Sequence, residues 1–154
     1  MINIDAQNHV KGKSIYLDDI QEIQGTLYAL PFDATVAHAK ITSIHLEEAL
    51  KRKGIVTILT AKDIPGENQI GGIFPDEPLF ADGEVHFRGQ VIALIVGTSE
   101  HHCRQAAKLI QVVYEELPII TDPRVAQAQN KLIMPPRQFT LGNVSEAWSQ
   151  CEYI

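Results

Sequence analysis

The sequence predicts an α+β domain, a mixed sheet with packed helices, on three observations. Val91-Ile92-Ala93-Leu94-Ile95-Val96 is an unbroken apolar run of strand length, the pattern of a central strand. The helix after it, capped by Thr98 or Ser99, sets Cys103, Ala106, Ala107 and Ile110 at i, i+3, i+4 and i+7 on one apolar face. Shorter strand-like runs lie on both sides of this pair, separated by glycine and proline.

Residues 1–25 read as an extended segment without regular structure, ending at Gly25. Thr26 to Leu30 reads as a strand closed by Pro31, and His38 to Leu46 as a second strand. Leu46, Ala49 and Leu50 have helical spacing, with Gly54 as the stop. Ile55 to Leu59 is a short buried strand, and Val85 to Phe87 and Ile110 to Tyr114 are two more. Residues 118–142, with Pro118, Pro123, Pro135 and Pro136, read as a loose connector. A last helix starts at Asn143 with Glu146 as capping-box partner, and Val144, Ala147, Trp148 and Cys151 repeat the core spacing. The expected division is 1–25 as the extended segment, 26–122 as the core, and 123–154 as connector and helix. Glu152-Tyr153-Ile154 looks like the start of another strand, so a longer polypeptide is expected.

Composition narrows the function. A chain of 154 residues suffices for one domain with a sizeable core, and 45% hydrophobic with 21% charged residues is ordinary globular usage. A net charge of −6 excludes a nucleic-acid footprint, since no basic cluster exceeds Lys51-Arg52-Lys53. No apolar run approaches the roughly 20 residues of a membrane span. The opening residues lack the regions of a signal peptide. Cys103 and Cys151, each on the apolar stripe of an expected helix, read as reduced core cysteines. A cytoplasmic protein is expected.

The segment Thr60 to Glu77 settles into neither secondary-structure period. Loops that long tend to be functional or disordered. Ile64, Ile70, Ile73 and Phe74 need a surface to bury against, which argues against disorder. Pro65 and Pro75 stiffen the backbone, while Gly66, Gly71 and Gly72 permit close approach. This is the composition of a pocket wall or an interface.

No catalytic set accompanies it. No pair among His9, His38, His45, His86, His101 and His102 has the i, i+4 helical spacing of a metalloprotease, and His101-His102 are expected in solvent on a helix's first turn. Asp18-Asp19 reads as turn chemistry, and Glu115-Glu116 as a solvent-facing strand end. Asp76-Glu77, adjacent in one chain, cannot converge across a pocket as an acid–base pair. No serine sits in a nucleophile elbow, and Gly71-Gly72 belongs to no phosphate-binding loop. Neither a catalytic residue nor a metal or cofactor ligand is expected in this chain.

Eight short motifs in order resemble a known family. His9 to Ile20, H-V-K-G-K-S-I-Y-L-D-D-I, resembles the segment opening the molybdenum-binding part of xanthine dehydrogenases and aldehyde oxidases. A-H-A-K-I (Ala37 to Ile41), L-T-A-K-D-I-P-G-E-N (Leu59 to Asn68), D-E-P-L-F-A (Asp76 to Ala81) and R-G-Q-V-I-A (Arg88 to Ala93) continue the similarity. A-A-K-L-I (Ala106 to Ile110), Y-E-E-L-P (Tyr114 to Pro118) and G-N-V-S-E-A-W (Gly142 to Trp148) complete it. Residues 124–136 are less typical of the family.

The resemblance implies an α/β hammerhead fold, the N-terminal domain of the molybdopterin-binding subunit. It also implies the activity of the whole enzyme. Xanthine dehydrogenases hydroxylate a carbon of hypoxanthine or xanthine oxidatively, with oxygen from water, and aldehyde oxidases act on aldehydes. Molybdenum and molybdopterin would lie in downstream domains, and iron–sulfur clusters and FAD on partner domains or subunits. Two cysteines cannot ligate such a cluster, which needs about four. The isolated domain is therefore expected to be inert.

By the same resemblance, Asp63, Pro65, Gly66, Asn68, Gly71 and Gly72 form a loop framework, and Ile73 and Phe74 a substrate-funnel wall. An apolar side chain there suits a planar heterocycle, and equally suits packing against a neighbouring domain. The expected function is thus an entrance-shaping domain of a purine-hydroxylating enzyme. A freestanding binding or assembly module with the same fold is the alternative.

Overall fold

The computed structural model describes residues 5–153. In chain order the described elements are α1 (Ala6–Val10), β1 (Tyr28–Asp33), β2 (Ala39–His45), α2 (Glu47–Leu50), β3 (Ile55–Thr60), β4 (Glu84–Val85), β5 (Val91–Gly97), α3 (Glu100–Ala107), β6 (Gln111–Glu116), α4 (Pro123–Ala128) and α5 (Val144–Ser149). The α+β class is borne out. In place of one mixed sheet, the strands form two three-stranded sheets, β1-β5-β3 and β4-β2-β6, and every described pairing is antiparallel. The chain divides after Leu117 into two compact units.

β5 is central in its sheet, as its apolar run requires, and Ile92, Ala93 and Ile95 are fully buried. Ser99 caps α3 by accepting a hydrogen bond from the His102 amide at 3.2 Å. The expected face of α3 is the buried one. Cys103, Ala106 and Ile110 join Ala49, Ile58, Ala93 and Ile95 in one core cluster. Gly97 lets α3 approach, because a Cβ there would lie 2.8 Å from both the Cys103 sulfur and the Gly54 carbonyl. A second cluster gathers Ala34, Ala81, Val85 and Ile92, with Ile41 and Tyr114 against it.

Several expectations change. β1 runs through Pro31 instead of ending there, because β1 is an edge strand and a missing amide there breaks no inner ladder. Residues 5–25 are not wholly irregular. α1 is followed by Gly12 in the left-handed region at φ 62°, and a 3-10 turn covers Leu17–Asp19. The histidine and tyrosine of the first motif meet there. The His9 Nδ1 lies 2.7 Å from Ser14 Oγ and 3.1 Å from the Tyr16 hydroxyl. Asp19 accepts from the Tyr16 amide at 2.9 Å, which bears out the turn role of Asp18-Asp19. His102 is half-buried rather than in solvent, since its ring packs against Gly54 and its Nδ1 lies 3.1 Å from Thr98 Oγ1.

The second unit holds α4, which the connector reading of 118–142 missed. Asp122 caps it by accepting from the Arg124 amide at 2.8 Å, and Pro123 occupies its first turn. α5 starts where expected, with Asn143 accepting from the Glu146 amide at 3.2 Å. Its apolar stripe is not a core stripe, however. Val144, Trp148 and Cys151 are exposed, because two short helices cannot bury a helix face from all sides. Cys151 is therefore no core cysteine. Glu152 and Tyr153 lie in no strand, and Ile154, like Met1–Ile4, lies outside the described residues. No described helix is long and apolar enough to cross a membrane.

Candidate functional site

The long loop between β3 and β4, residues 61–83, is built in three ties, beginning at its root. A 3-10 turn, Ala61–Asp63, leaves β3 in a reciprocal cap. The Asp63 carboxylate accepts from the Thr60 amide at 2.7 Å and from its hydroxyl at 2.9 Å. These donors favour the charged form, so the Asp63 pKa lies below the ordinary aspartate value, with the Thr60 amide as the larger cause.

A carboxylate with a depressed folded pKa supports the turn above the ordinary aspartate range, and that support is lost as pH falls through the folded value. NMR titration of the Asp63 carboxyl should therefore show a midpoint below that of a free aspartate. Thr60→Ala should raise it part of the way back. A midpoint already at the ordinary value would remove Asp63 from the framework.

The second tie spans the loop. The Asn68 side-chain amide donates to the Phe80 carbonyl at 2.8 Å and accepts from the Phe80 amide at 2.9 Å. One side chain thus pairs with both backbone groups of a buried residue, as a neighbouring strand would. Beyond Phe80, the Ala81 amide donates to the Val91 carbonyl at 2.7 Å, which fastens the returning chain to β5.

The third tie closes the tip. The Ile70 amide donates to the Glu77 carbonyl at 2.8 Å. The Gln69 side-chain oxygen accepts from the Gly71 amide at 2.7 Å and the Glu77 amide at 3.0 Å. Gly71 is required by this closure, since a Cβ would overlap the Phe74 carbonyl oxygen. Gly66 and Gly72 have open space at the Cβ position, so nothing within the loop demands glycine there. Pro65 is exposed in the bend between the first two ties.

The ties leave an apolar rim outside. Ile73 is 86% exposed and Phe74 37%, with Ile70, Leu79 and Phe87 also exposed. Of the framework residues expected from the sequence, Asp63, Asn68 and Gly71 hold the loop's shape. Gln69 was missed, because its side-chain amide offers an acceptor and donors but its spacing does not show which backbone groups they meet.

One further residue and one three-residue cluster were missed. Gln90, only 4% exposed, accepts from the His86 amide at 2.8 Å and so shapes the turn after β4. His38, Glu84 and His86 converge where β4 meets β2. Their ligating atoms all lie within 4.8 Å of one another. The helical-spacing test passed over them, because Glu84 and His86 share a face at the i, i+2 spacing of a strand.

Two small antiparallel sheets, a helix (α3) packed on the central strand β5 and a tied loop between β3 and β4 define an α/β hammerhead domain. Residues 11–118 match the family described as "Aldehyde oxidase and xanthine dehydrogenase, a/b hammerhead domain". The chain belongs to this xanthine dehydrogenase and aldehyde oxidase family. It is 34% identical to xanthine dehydrogenase/oxidase of Gallus gallus over 154 residues, 100% of this chain and 11% of that protein. It is 36% identical to aldehyde oxidase 1 of Oryctolagus cuniculus over 155 residues, again 100% of this chain and 11% of the other. The solved aldehyde oxidoreductase of Desulfovibrio desulfuricans superposes with a TM-score of 0.74 at 29% identity, over 86% of this chain and 16% of that one. The chain thus spans about a ninth of the length of the curated relatives it matches.

Proposed function

We propose that this chain is the hammerhead domain of a xanthine dehydrogenase-type molybdenum hydroxylase, where loop 61–83 forms one wall of the substrate entrance. The enzyme would hydroxylate hypoxanthine or xanthine, with the oxygen drawn from water, in the cytoplasm. One observation carries this reading. The side chains of Asn68 and Gln69 are turned inward on the loop's own backbone, while Ile73 is left exposed at the closed tip with Phe74 partly exposed beside it. A planar heterocycle is recognised by such a surface through stacking and edge contacts.

Among the described residues, the loop ties and the buried cysteine are already engaged in ways that do not suit the enzyme's cofactors. The amides of Asn68 and Gln69 are engaged with Phe80, Gly71 and Glu77, which leaves them unsuited to holding a pterin. Cys103 is buried with its thiol 3.6 Å from the Tyr28 carbonyl, and burial pushes its pKa up, against the thiolate that an iron–sulfur cluster needs. We propose accordingly that molybdopterin is held by other domains of the subunit, and iron–sulfur clusters and FAD by partner domains or subunits. The boundaries 1–25, 26–122 and 123–154 remain the proposed working division, with the last segment leading toward the catalytic domains.

In the complete enzyme, Phe74→Ala should raise KM for xanthine about two- to tenfold, the equivalent of one aromatic contact. Molybdenum content should stay unchanged. The same variant tested on an aldehyde should show the smaller rise if the entrance is shaped for purines. An unaltered KM for both would take Phe74 out of the substrate path.

A further inference from the structure

We propose that His38, Glu84 and His86 form a binding site for a zinc-class divalent ion that clasps β4 to β2. The site follows from strand register. Ala39 pairs with Val85 and Lys40 with Glu84, and Ala39 and Val85 are both fully buried. Alternation then turns Glu84 and His86 to the opposite, outer face, and the next step of the ladder sets His38 across from His86. Backbone pairing thus brings together three donors from positions far apart in the chain.

The distances suit an ion of this class. His38 Nε2 lies 2.9 Å from Glu84 Oε1, and His86 Nδ1 lies 3.7 Å from the same oxygen. A tetrahedral zinc with bonds of about 2.0–2.1 Å holds its donors roughly 3.3 Å apart, between those two separations. The two imidazole rings already stack, with centroids 6.2 Å apart and an interplanar angle of 28°. Small side-chain rotations would bring all three donors onto one centre, with each imidazole ligating through a deprotonated ring nitrogen. Two imidazoles and a carboxylate suit zinc and its neighbours better than calcium or magnesium, which prefer oxygen. His38 and Glu84 are half-buried and His86 is mostly exposed, so the site is anchored on one side and reachable from the other.

The neighbours of the site indicate what the ion would do. β4 pairs with β2 at only two positions, and it receives the chain returning from loop 61–83. A metal bridge across this junction would pin the loop's exit, where Gln90 already holds the His86 amide. Lys40 faces Glu84 in the ladder and Glu115 faces Lys40, so the site's border carries both signs of charge.

The test is a ZnCl2 titration of the complete chelator-treated protein by calorimetry, in parallel with His38→Ala, Glu84→Gln and His86→Ala. The wild type should bind one zinc that each variant weakens by more than about tenfold, the loss that even a change outside the first ligand set can produce. Zinc-edge X-ray absorption of the loaded wild type should show two imidazoles and light oxygen scatterers. His38→Ala could disturb the strand, so the exposed His86→Ala carries the decision and must retain the parent circular-dichroism spectrum. Zinc uptake in folded His86→Ala equal to wild type, or a spectrum without imidazole, would overturn the site.

Discussion

Gly71→Ala is expected to destabilise the loop by roughly 1–3 kcal/mol, the usual range for forcing an added carbon into a packed position. The added Cβ would overlap the Phe74 carbonyl oxygen, a backbone atom that cannot rotate aside as a side chain would. The only relief is to reroute the segment between Ile70 and Glu77. That movement breaks the Ile70–Glu77 hydrogen bond and withdraws the Gly71 amide from Gln69. Hydrogen exchange reads the result directly, with the Ile70 and Gly71 amides expected to exchange about tenfold faster or more. Gly72→Ala is the matched control, because its Cβ meets nothing within 4 Å. Parent-like exchange in Gly71→Ala would show that the tip is not closed in this way.

Asn68→Ala should cost about 2 kcal/mol of stability, since it removes two hydrogen bonds and leaves the amide and carbonyl of a buried residue without that partner. Denaturant unfolding measures it. Asn68→Asp separates the two bonds. It retains an acceptor for the Phe80 amide and replaces the donor to the Phe80 carbonyl with a second oxygen. Asp should therefore recover little of the loss. An Asn68→Ala protein as stable as the parent would remove the second tie from the loop.

The fold was legible where one local signal and the tertiary environment agree. The Val91–Val96 run, the α3 face and the Asn143–Glu146 cap all describe interactions close in sequence, and each occurs as expected. Pro31 misled because its effect depends on whether its strand lies at the sheet's edge, which is a tertiary fact. The α5 stripe misled for a related reason: spacing shows which residues share a face but not whether anything covers it. α4 was legible in principle from Asp122-Pro123, yet its prolines were read as connector.

Within the candidate site, Asp63 and Asn68 came from the resemblance, and the hydrogen bonds now supply their physical reason. Gly71 and Gly72 were indistinguishable in sequence, and only the path of the Phe74 carbonyl separates them. The meeting of His38 with Glu84 and His86 was out of reach, because it needs the β2–β4 register. Glu84 and His86 alone give only the weak i, i+2 signal of a strand face.

Under the proposed function, the loop's ties hold Phe74 at the substrate entrance. A double-mutant cycle of Asn68→Ala and Phe74→Ala in the complete enzyme, read as KM for xanthine, tests it most directly. Asn68→Ala alone should raise KM, and it should add little once Phe74 has been removed. Equal KM increases from Asn68→Ala in both backgrounds, or none in either, would contradict the claim.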